Sequence, residues 1–464
     1  MLKQRQDGLV TLHGAVLFIL IASVFVSSIF LVQSRDWIRF NDGVNWGLYL
    51  CGVFAAMTWI HHGLRGAAAR IGALTWPEAL RLTSQQLVRL MVVLFTLAFM
   101  TKDVEVSRVF LEGFLAVTGV VLLLANRFLP ALLARAFFDQ RRLRTIIVAP
   151  GGDARLLQAW LAVRRHLGIE TLGYVTTDEA PDAGRLGTLQ DLGRILLRHS
   201  VDQVVMAQAA RTDAAGERVA RTVEAAGCRL RCFVDMDALF GGNAGPIEHS
   251  ENYTFSAAGV EPLENPFNRV LKRALDIAVA APVVLLILPP LTLAVWLVQR
   301  VQSPGTVFYR QERSGLNRRR FLIHKFRTMH GGTEAERARQ ASVGDARVFA
   351  FGRFLRRTSL DEIPQFLNVI LGNMSVSGPR PHLLEHDEQF AKIDRAYYKR
   401  HFVKPGITGL AQSKGYRGEV LASSDLTNRV RYDALYVANW SLWLDLRILF
   451  QTIRQVVRPP RTAY

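Results

Sequence analysis

Two adjacent carboxylates stand out first. In "FGRFLRRTSLDEIPQFLNVILGNMSVSGPRPH", residues 351–382, Asp361 and Glu362 follow a run of arginines and precede an apolar stripe. Ile363, Phe366, Leu367, Ile370 and Leu371 repeat at helical spacing, which predicts a helix running to Gly372. Pro364 is tolerated only in a first turn, so that helix is expected to begin between Asp361 and Ile363. Two readings of Asp361 are open. It is either a plain N-cap or a nucleophile placed where free amides and a positive dipole end attract phosphate. A carboxylate can attack phosphorus once Mg²⁺ and arginines offset the repulsion between anions, and a second carboxylate can complete the metal site or handle protons.

The cations such chemistry needs are nearby in sequence. "RRRFLIHKFRTM" alternates basic and apolar residues, so Lys325 and Arg327 share a face if the segment is a strand. With Arg353, Arg356, Arg357 and Arg380 they would form an anion site if they converge, and a solvated face if they do not.

The elements that must hold these groups begin in a membrane. The chain has 464 residues, half of them hydrophobic, and a formal charge of +18. Basic parts facing an anionic leaflet explain that pairing better than nucleic acid does, because the bases are dispersed and no reader motif occurs. Cys51, Cys228 and Cys232 make no disulfide framework and no zinc pattern, which suits a reducing compartment. Four apolar runs, 12–32, 44–62, 87–101 and 109–126, predict a four-helix transmembrane bundle over 1–130. Lys3 and Arg5 precede a run with no clear cleavage site, so the first helix is expected to be retained. Arg65, Arg70 and Arg81, and then Arg127, Arg135, Arg141, Arg142 and Arg144, place both ends of the bundle in the cytoplasm.

Residues 143–250 read as a Rossmann-like α/β domain. "RTIIVAPGGDARLLQAWL", "DQVVMAQ" and "CRLRCFVDM" supply strands between helices. The turn at Ala149 to Gly152 lacks the dinucleotide spacing, and no Tyr-x-x-x-Lys pair occurs. Redox chemistry and a dehydratase are therefore not expected, while regulatory nucleotide binding stays open. A linker is expected over 251–268. An apolar segment over 269–303 then carries Pro282 and Pro289-Pro290 between basic flanks, Lys272 and Arg273 before it, Arg300 and Arg310 after it. A proline pair should break the helix, and the flanks favour a re-entrant membrane helix over a kinked fifth span.

From about Asn268 onward the chain resembles the bacterial sugar transferase family, the polyprenyl-phosphate hexose-1-phosphate transferases. The resemblance rests on "LKRALDI", "YRQERSGLNRRRFLIHKFRTM", the 351–382 stretch, "KPGITGLAQSKGYRGE" and "YDALYVANWSLWLDLRILF". It implies a mainly helical cytoplasmic catalytic domain over 304–464, in the bacterial inner membrane. It also implies a reaction: Asp361 attacks the β-phosphate of a UDP-sugar and expels UMP, and undecaprenyl phosphate collects the sugar phosphate from the aspartate. Glu362 completes the dyad, as metal partner or as base, and Asp361 and Glu362 are the candidate ligands of Mg²⁺. Arg356 is implied on phosphate, and Pro379-Arg380-Pro381 near the nucleotide. The family's break is commonly Ser-Pro, whereas this chain reads Leu288-Pro289-Pro290.

The glucose-type members are the nearer match, so UDP-glucose is the expected donor and UDP-galactose the second choice. Tyr416, Arg417 and Glu419 are candidates for the sugar pocket, with a structural turn as the alternative. Trp440 and Trp443 suit an interfacial helix. A non-catalytic scaffold of polysaccharide assembly is the rival from another class, and the sequence leaves homo-oligomers open.

Overall fold

The computed structural model describes residues 2–35, 45–64, 74–101, 108–139, 142–176, 184–207, 214–235, 253–257, 261–330, 345–416 and 423–457. Several loop charges used for orientation, among them Arg65, Arg70 and Arg141, lie outside these residues, as do Arg417 and Glu419. The chain divides into two compact units. One comprises Met1–Thr145, Arg155–Leu172 and Glu264–Phe267; the other comprises Ile146–Ala154, Gly173–Leu263 and Asn268–Tyr464.

The first unit is built on α1 (Leu2–Ser34), α2 (Trp46–Leu64), α3 (Trp76–Met100) and α4 (Arg108–Phe138). Three of these contain stretches long and apolar enough to cross a membrane, Gln4–Ser34, Trp76–Met100 and Val109–Phe138, while the apolar part of α2 is shorter, Trp46–Ile60. Helix α3 starts well before the expected 87, because Thr75 precedes it and Pro77 fits its first turn. Leu17, Ile21, Phe25, Ala56, Leu90, Leu94 and Leu122 form its core. Inside that core His13 Nε2 meets Asn126 Oδ1 at 3.0 Å, and Asn126 Nδ2 donates to Thr83 and Gln86 at 2.9 and 2.7 Å. These groups bond one another where water is scarce, while His13 Nδ1 and Gln86 Nε2 stay buried without a hydrogen-bond partner among the described residues.

The α/β part comprises β1 (Leu143–Val148), α5 (Gly151–Val163), β2 (Ile169–Thr176), β3 (Arg185–Thr188), α6 (Leu192–Arg198), β4 (Gln203–Ala207), α7 (Ala214–Ala225), β5 (Arg229–Asp235) and β6 (Tyr253–Ala257). The sheet runs β3-β2-β1-β4-β5-β6, the order of a doubly wound sheet. Strand β6 is antiparallel to β5 and pairs Phe255 with Phe233. It falls within the expected linker 251–268, so that reading is corrected. "YTFSA" is short but rich in strand formers, and it finds a free sheet edge.

Within the second unit this sheet docks on the C-terminal part. Arg229 and Arg231 pair with Glu261 at 3.0 and 3.1 Å. Arg229 also donates to Asn317 Oδ1 at 3.1 Å and to the Phe402 carbonyl at 3.4 Å, and its guanidinium lies 4.1 Å from the Phe402 ring centre. Arg318 donates to the Ala226 carbonyl at 2.7 Å and stacks over Tyr398.

Helix α8 (Pro266–Pro282), a π turn (Val283–Ile287) and α9 (Leu288–Gln302) form one run, and Pro266–Gln302 is itself long and apolar enough to cross a membrane. Helical structure continues across Pro289-Pro290, and the departure from α geometry falls on the π turn just before the pair. Pro289 and Pro290 have no amide for Leu285 and Leu286, and a wide turn precedes them, in which the Leu288 amide bonds the Val283 carbonyl five residues back.

The remaining elements are β7 (Phe308–Ser314), β8 (Arg320–Phe326), α10 (Ala350–Arg357), α11 (Gln365–Ile370), β9 (Ser375–Ser377), α12 (Leu384–Ile393), β10 (Gly406–Thr408), α13 (Leu410–Ser413), α14 (Ser423–Ala438) and α15 (Leu442–Val457). Strands β7 and β8 make an antiparallel hairpin, and β9 and β10 pair in parallel. Buried ions tie this part to α8. Lys272 bonds Asp445 at 2.8 Å and the Ser377 carbonyl at 3.0 Å. Asp276 accepts from Ser375 Oγ and from the Val376 amide.

Candidate active site

Asp361 and Glu362 sit in a tight 3-10 turn, Leu360–Glu362, between α10 and α11. Ser359 takes a left-handed conformation, φ 58°, and this turns the chain out of α10. The Glu362 amide bonds the Ser359 carbonyl and the Ile363 amide bonds the Leu360 carbonyl, each at 3.2 Å. Helix α11 therefore starts four residues later than Asp361, with Pro364 at its edge. Asp361 is not its N-cap. Among the described residues, none donates a hydrogen bond to the Asp361 carboxylate.

Glu362 is held tightly. Its Oε1 accepts from Lys325 Nζ at 2.8 Å and from Arg380 Nη2 at 2.6 Å, and its Oε2 from Arg380 Nη1 at 3.3 Å. Lys325 is placed by the hairpin, opposite Tyr309. Asn368 fixes the hairpin against α11 by accepting from the His324 amide and donating to the Leu322 carbonyl. Arg273 of α8 caps α11 from the other end, bonding the Val369 and Ile370 carbonyls at 2.5 and 2.7 Å.

The two carboxylates diverge in acidity. Burial and then the Glu362 charge push Asp361 up to about 6, against the pull of Lys325, Arg356 and Arg380. Burial acts on Glu362 in the same direction, but Arg380 and Lys325 override it and hold that group well below the usual carboxylate range. One group stays a fixed anion while its neighbour is a carboxylate of unusual basicity, the pattern of a site with divided roles.

Arg356 reaches the site from α10 and donates to Thr328 Oγ1 at 2.9 Å. The helix lies close enough for this because of Gly352, where a Cβ would come within 2.2 Å of the Thr328 carbonyl oxygen. Pro379 and Arg380 lie in the loop after β9, and Gly406 donates its amide to the Pro379 carbonyl at 2.9 Å. Pro381 follows directly, ahead of buried His382.

Arg327 goes elsewhere. Strand β8 ends at Phe326, so the expected shared face with Lys325 is lost. Its guanidinium bonds Ser303 Oγ, the Ser303 carbonyl, Thr306 and Met329, bracing the exit of α9. Arg353 bonds the Val348 carbonyl. Tyr416 packs on Tyr432, ring centres 5.5 Å apart, and is not brought to the dyad by any contact among the described residues. Trp440 is buried and donates its indole N–H to Asp445 at 3.0 Å, so it is a core residue rather than an interfacial one. Trp443 remains exposed with Leu446, Phe450 and Ile453 on one face of α15.

One cation was missed. Arg313 of β7 lies on the same hairpin face as Lys325, counting along the register Tyr309↔Lys325, Gln311↔Ile323, Arg313↔Phe321. Burial, then the nearby Arg380 charge, brings it down to about 10, and Glu362 is among the anions opposing that shift. Strand alternation could have found it, since Tyr309, Gln311 and Arg313 are two apart.

The bacterial sugar transferase profile matches residues 267–459, and a CoA-binding domain profile matches residues 70–231. A UDP-glucose:undecaprenyl-phosphate glucose-1-phosphate transferase of Klebsiella pneumoniae is 34% identical over 373 residues, 78% of each chain. A protein of the same name from Escherichia coli (strain K12) is 43% identical over 211 residues, 45% of each chain. A UDP-N-acetylgalactosamine-undecaprenyl-phosphate N-acetylgalactosaminephosphotransferase of Aeromonas hydrophila is 39% identical over 196 residues, 42% of this chain and 45% of its own. With the first of these aligned along most of both chains, and with the dyad and its cations inside the matched region, the chain belongs to the bacterial sugar transferase family.

Proposed function

We propose that the protein transfers hexose-1-phosphate from a UDP-sugar, UDP-glucose first, to undecaprenyl phosphate on the cytoplasmic face of the bacterial inner membrane, opening the assembly of an extracellular polysaccharide. One observation carries this reading. An unbonded, unusually basic Asp361 stands beside a clamped Glu362 and among Lys325, Arg356 and Arg380. A structural cap would spend its oxygens on amides; this one keeps them for an incoming atom.

Asp361 Oδ forms a bond to the β-phosphorus, and the bond between that phosphorus and the bridging oxygen breaks, releasing UMP with the electron pair. An oxygen of undecaprenyl phosphate then attacks the same phosphorus and the carboxylate leaves, giving undecaprenyl-diphosphate-sugar and free Asp361. Arg356 and Arg380 offset charge on the transferring group, and Arg313 adds a third guanidinium to that side.

The donors also fit Mg²⁺. That ion takes one or two carboxylates together with substrate phosphates, and the Asp361 oxygens and Glu362 Oε2 provide hard oxygens without a third ligand. No group of three metal-ligating side chains occurs among the described residues. Bound there, Mg²⁺ would supply further neutralisation of the diphosphate.

The acceptor has a fitting surface. A groove of about 900 Å³ is lined by Pro289, Leu293, Trp296 and Phe308, and reaches Tyr309 and Arg310. Its apolar wall suits an isoprenoid tail, and Tyr309 pairs with Lys325, which touches Glu362. Exposed Leu285, Leu286, Leu297 and Val301 on the α8–α9 run suit a bilayer. Basic flanks at both ends favour entry and exit through the same face, and the exposed apolar face of α15 suits the interface.

The relatives' names divide among glucose, N-acetylgalactosamine and galactose, so the sugar needs its own measurement. UMP release and labelled-sugar transfer to lipid, run on UDP-glucose, UDP-galactose and UDP-N-acetylgalactosamine, test the reading. Preference for glucose is expected. Transfer of none of these sugars to lipid would overturn it.

A further inference from the structure

Behind Arg380 lies a buried polar cluster that the transfer chemistry does not use. Arg400, in the 3-10 helix Arg395–Phe402, is 3% exposed, and Asp433 on α14 is 2% exposed. Arg400 Nη2 meets Asp433 Oδ2 at 2.8 Å and donates to the Arg380 carbonyl at 2.6 Å. Its Nη1 donates to Tyr397 Oη at 3.1 Å and to His382 Nδ1. Tyr397 in turn donates to Asp387.

The backbone around Arg380 explains why such an anchor is needed. Pro379 and Pro381 fix their own φ angles and bring no amide to hold the loop. The Gly378 amide holds the start of the loop on the Thr408 carbonyl at 2.8 Å, and beyond it two grips come through a carbonyl. Gly406 takes that of Pro379 and Arg400 takes that of Arg380. With its carbonyl fixed, Arg380 can project both of its terminal nitrogens onto Glu362. A buried charge is costly unless paired and hydrogen-bonded, and here Asp433 supplies the pair while the Arg380 carbonyl receives a bond.

We propose that Arg400, anchored by Asp433, is a positioning residue for Arg380: it sets the loop so that Arg380 clamps Glu362, without itself touching substrate. This role rests on the transferase reading given above.

The test is a double-mutant cycle on UMP release by the full-length protein in its membrane. The pair Arg400→Met with Asp433→Asn removes both charges and keeps side-chain volume. It is expected to leave the amount of inserted protein unchanged, to lower kcat at least tenfold, and to move KM for UDP-glucose less than threefold. In an Arg380→Ala background the same pair should cost at most a further twofold, since its effect runs through Arg380. A general loosening of the fold would instead multiply the losses. Arg400→Lys, which keeps the charge opposite Asp433 but has one nitrogen to donate, should recover only part of the rate. Should the pair fail to insert, Arg400→Lys carries the test, with a partial loss of kcat expected in the wild-type background and at most a further twofold loss in the Arg380→Ala background. Wild-type kcat in the inserted variant, or multiplied losses in the Arg380→Ala background, would overturn the role. A wild-type protein that transfers no sugar would overturn the transferase reading and this role with it, a result distinct from an active variant.

Discussion

Arg380 grips Glu362 with two nitrogens, at 2.6 and 3.3 Å, while Lys325 holds the same carboxylate from the hairpin at 2.8 Å. Asp361, one residue earlier, receives none of these bonds. Neighbours in sequence are thus separated in role by which strand and loop reach them.

Asp361→Asn should abolish both UMP release and labelled-sugar transfer while the protein still inserts. Glu362→Gln keeps the shape but weakens the bonds to Lys325 and Arg380, and a loss of about 10²–10³ in kcat is expected. EDTA should silence the wild type, with Mg²⁺ restoring it. Substantial turnover by inserted Asp361→Asn protein would remove the nucleophile.

The acidity of Asp361 gives a pH signature. Its group is raised to about 6, so kcat/KM should climb through pH 6 and fall about tenfold per unit below it. An ordinary aspartate would place that limb near 4. The stability sign is opposite to that of a salt-bridged carboxylate. A raised acid binds its proton more tightly when folded, so ionising it costs stability as pH rises from about 4 through 6. Asp361→Asn should accordingly stabilise the protein at pH 7.5 by about 3 kcal/mol, read as a higher melting temperature in detergent. An acid limb at pH 4 would contradict this assignment.

For the α8–α9 run, cysteines placed at Ala274 and Thr306 should both react with an impermeant thiol reagent only from the cytoplasmic side. Periplasmic labelling at 306 would establish a fifth span. Changing Pro289 and Pro290 to Ala restores two amides and should move the second cysteine toward that outcome.

Lys272 and Asp445 are 7% and 0% exposed, and they join α8 to α15. Asp445 also accepts from Tyr436 and Trp440. Asp445→Asn leaves Lys272 buried without its counter-ion, a cost of about 3–5 kcal/mol. Sharply reduced accumulation is expected, whereas Arg447→Gln on the same helix should accumulate normally.

Local patterns made much of this legible. The dyad, Arg356 and Arg380 lie within one motif, and the strand of Lys325 shows its alternation. Residues whose meaning depends on a boundary were harder. Arg327 pairs with Lys325 only if the strand continues past Phe326, and it does not. Trp440 and Trp443 look alike by spacing, yet Trp440 sits just ahead of α15 and turns inward to Asp445 five residues on, while Trp443 lies on the exposed face of that helix. Strand β6 was hidden because five residues carry little periodicity and their stability comes from the β5 edge. Arg400 and Asp433 meet across 33 positions of chain, a separation at which no motif reports contact.

The docking of β5 onto the C-terminal part bears on how far this enzyme can be taken apart. Arg229 reaches Asn317 and Phe402, and Arg318 reaches back to Ala226. A fragment beginning at residue 262 would lose Arg229 and its partner Glu261 together. It would leave the Phe402 ring without its guanidinium and Arg318 without the Ala226 carbonyl, next to the turn that carries Arg400. The C-terminal part is therefore not a free-standing cassette in this chain. A chimera that exchanges the α/β portion with a relative's must carry a matching arginine and glutamate, or redesign the surface it uncovers.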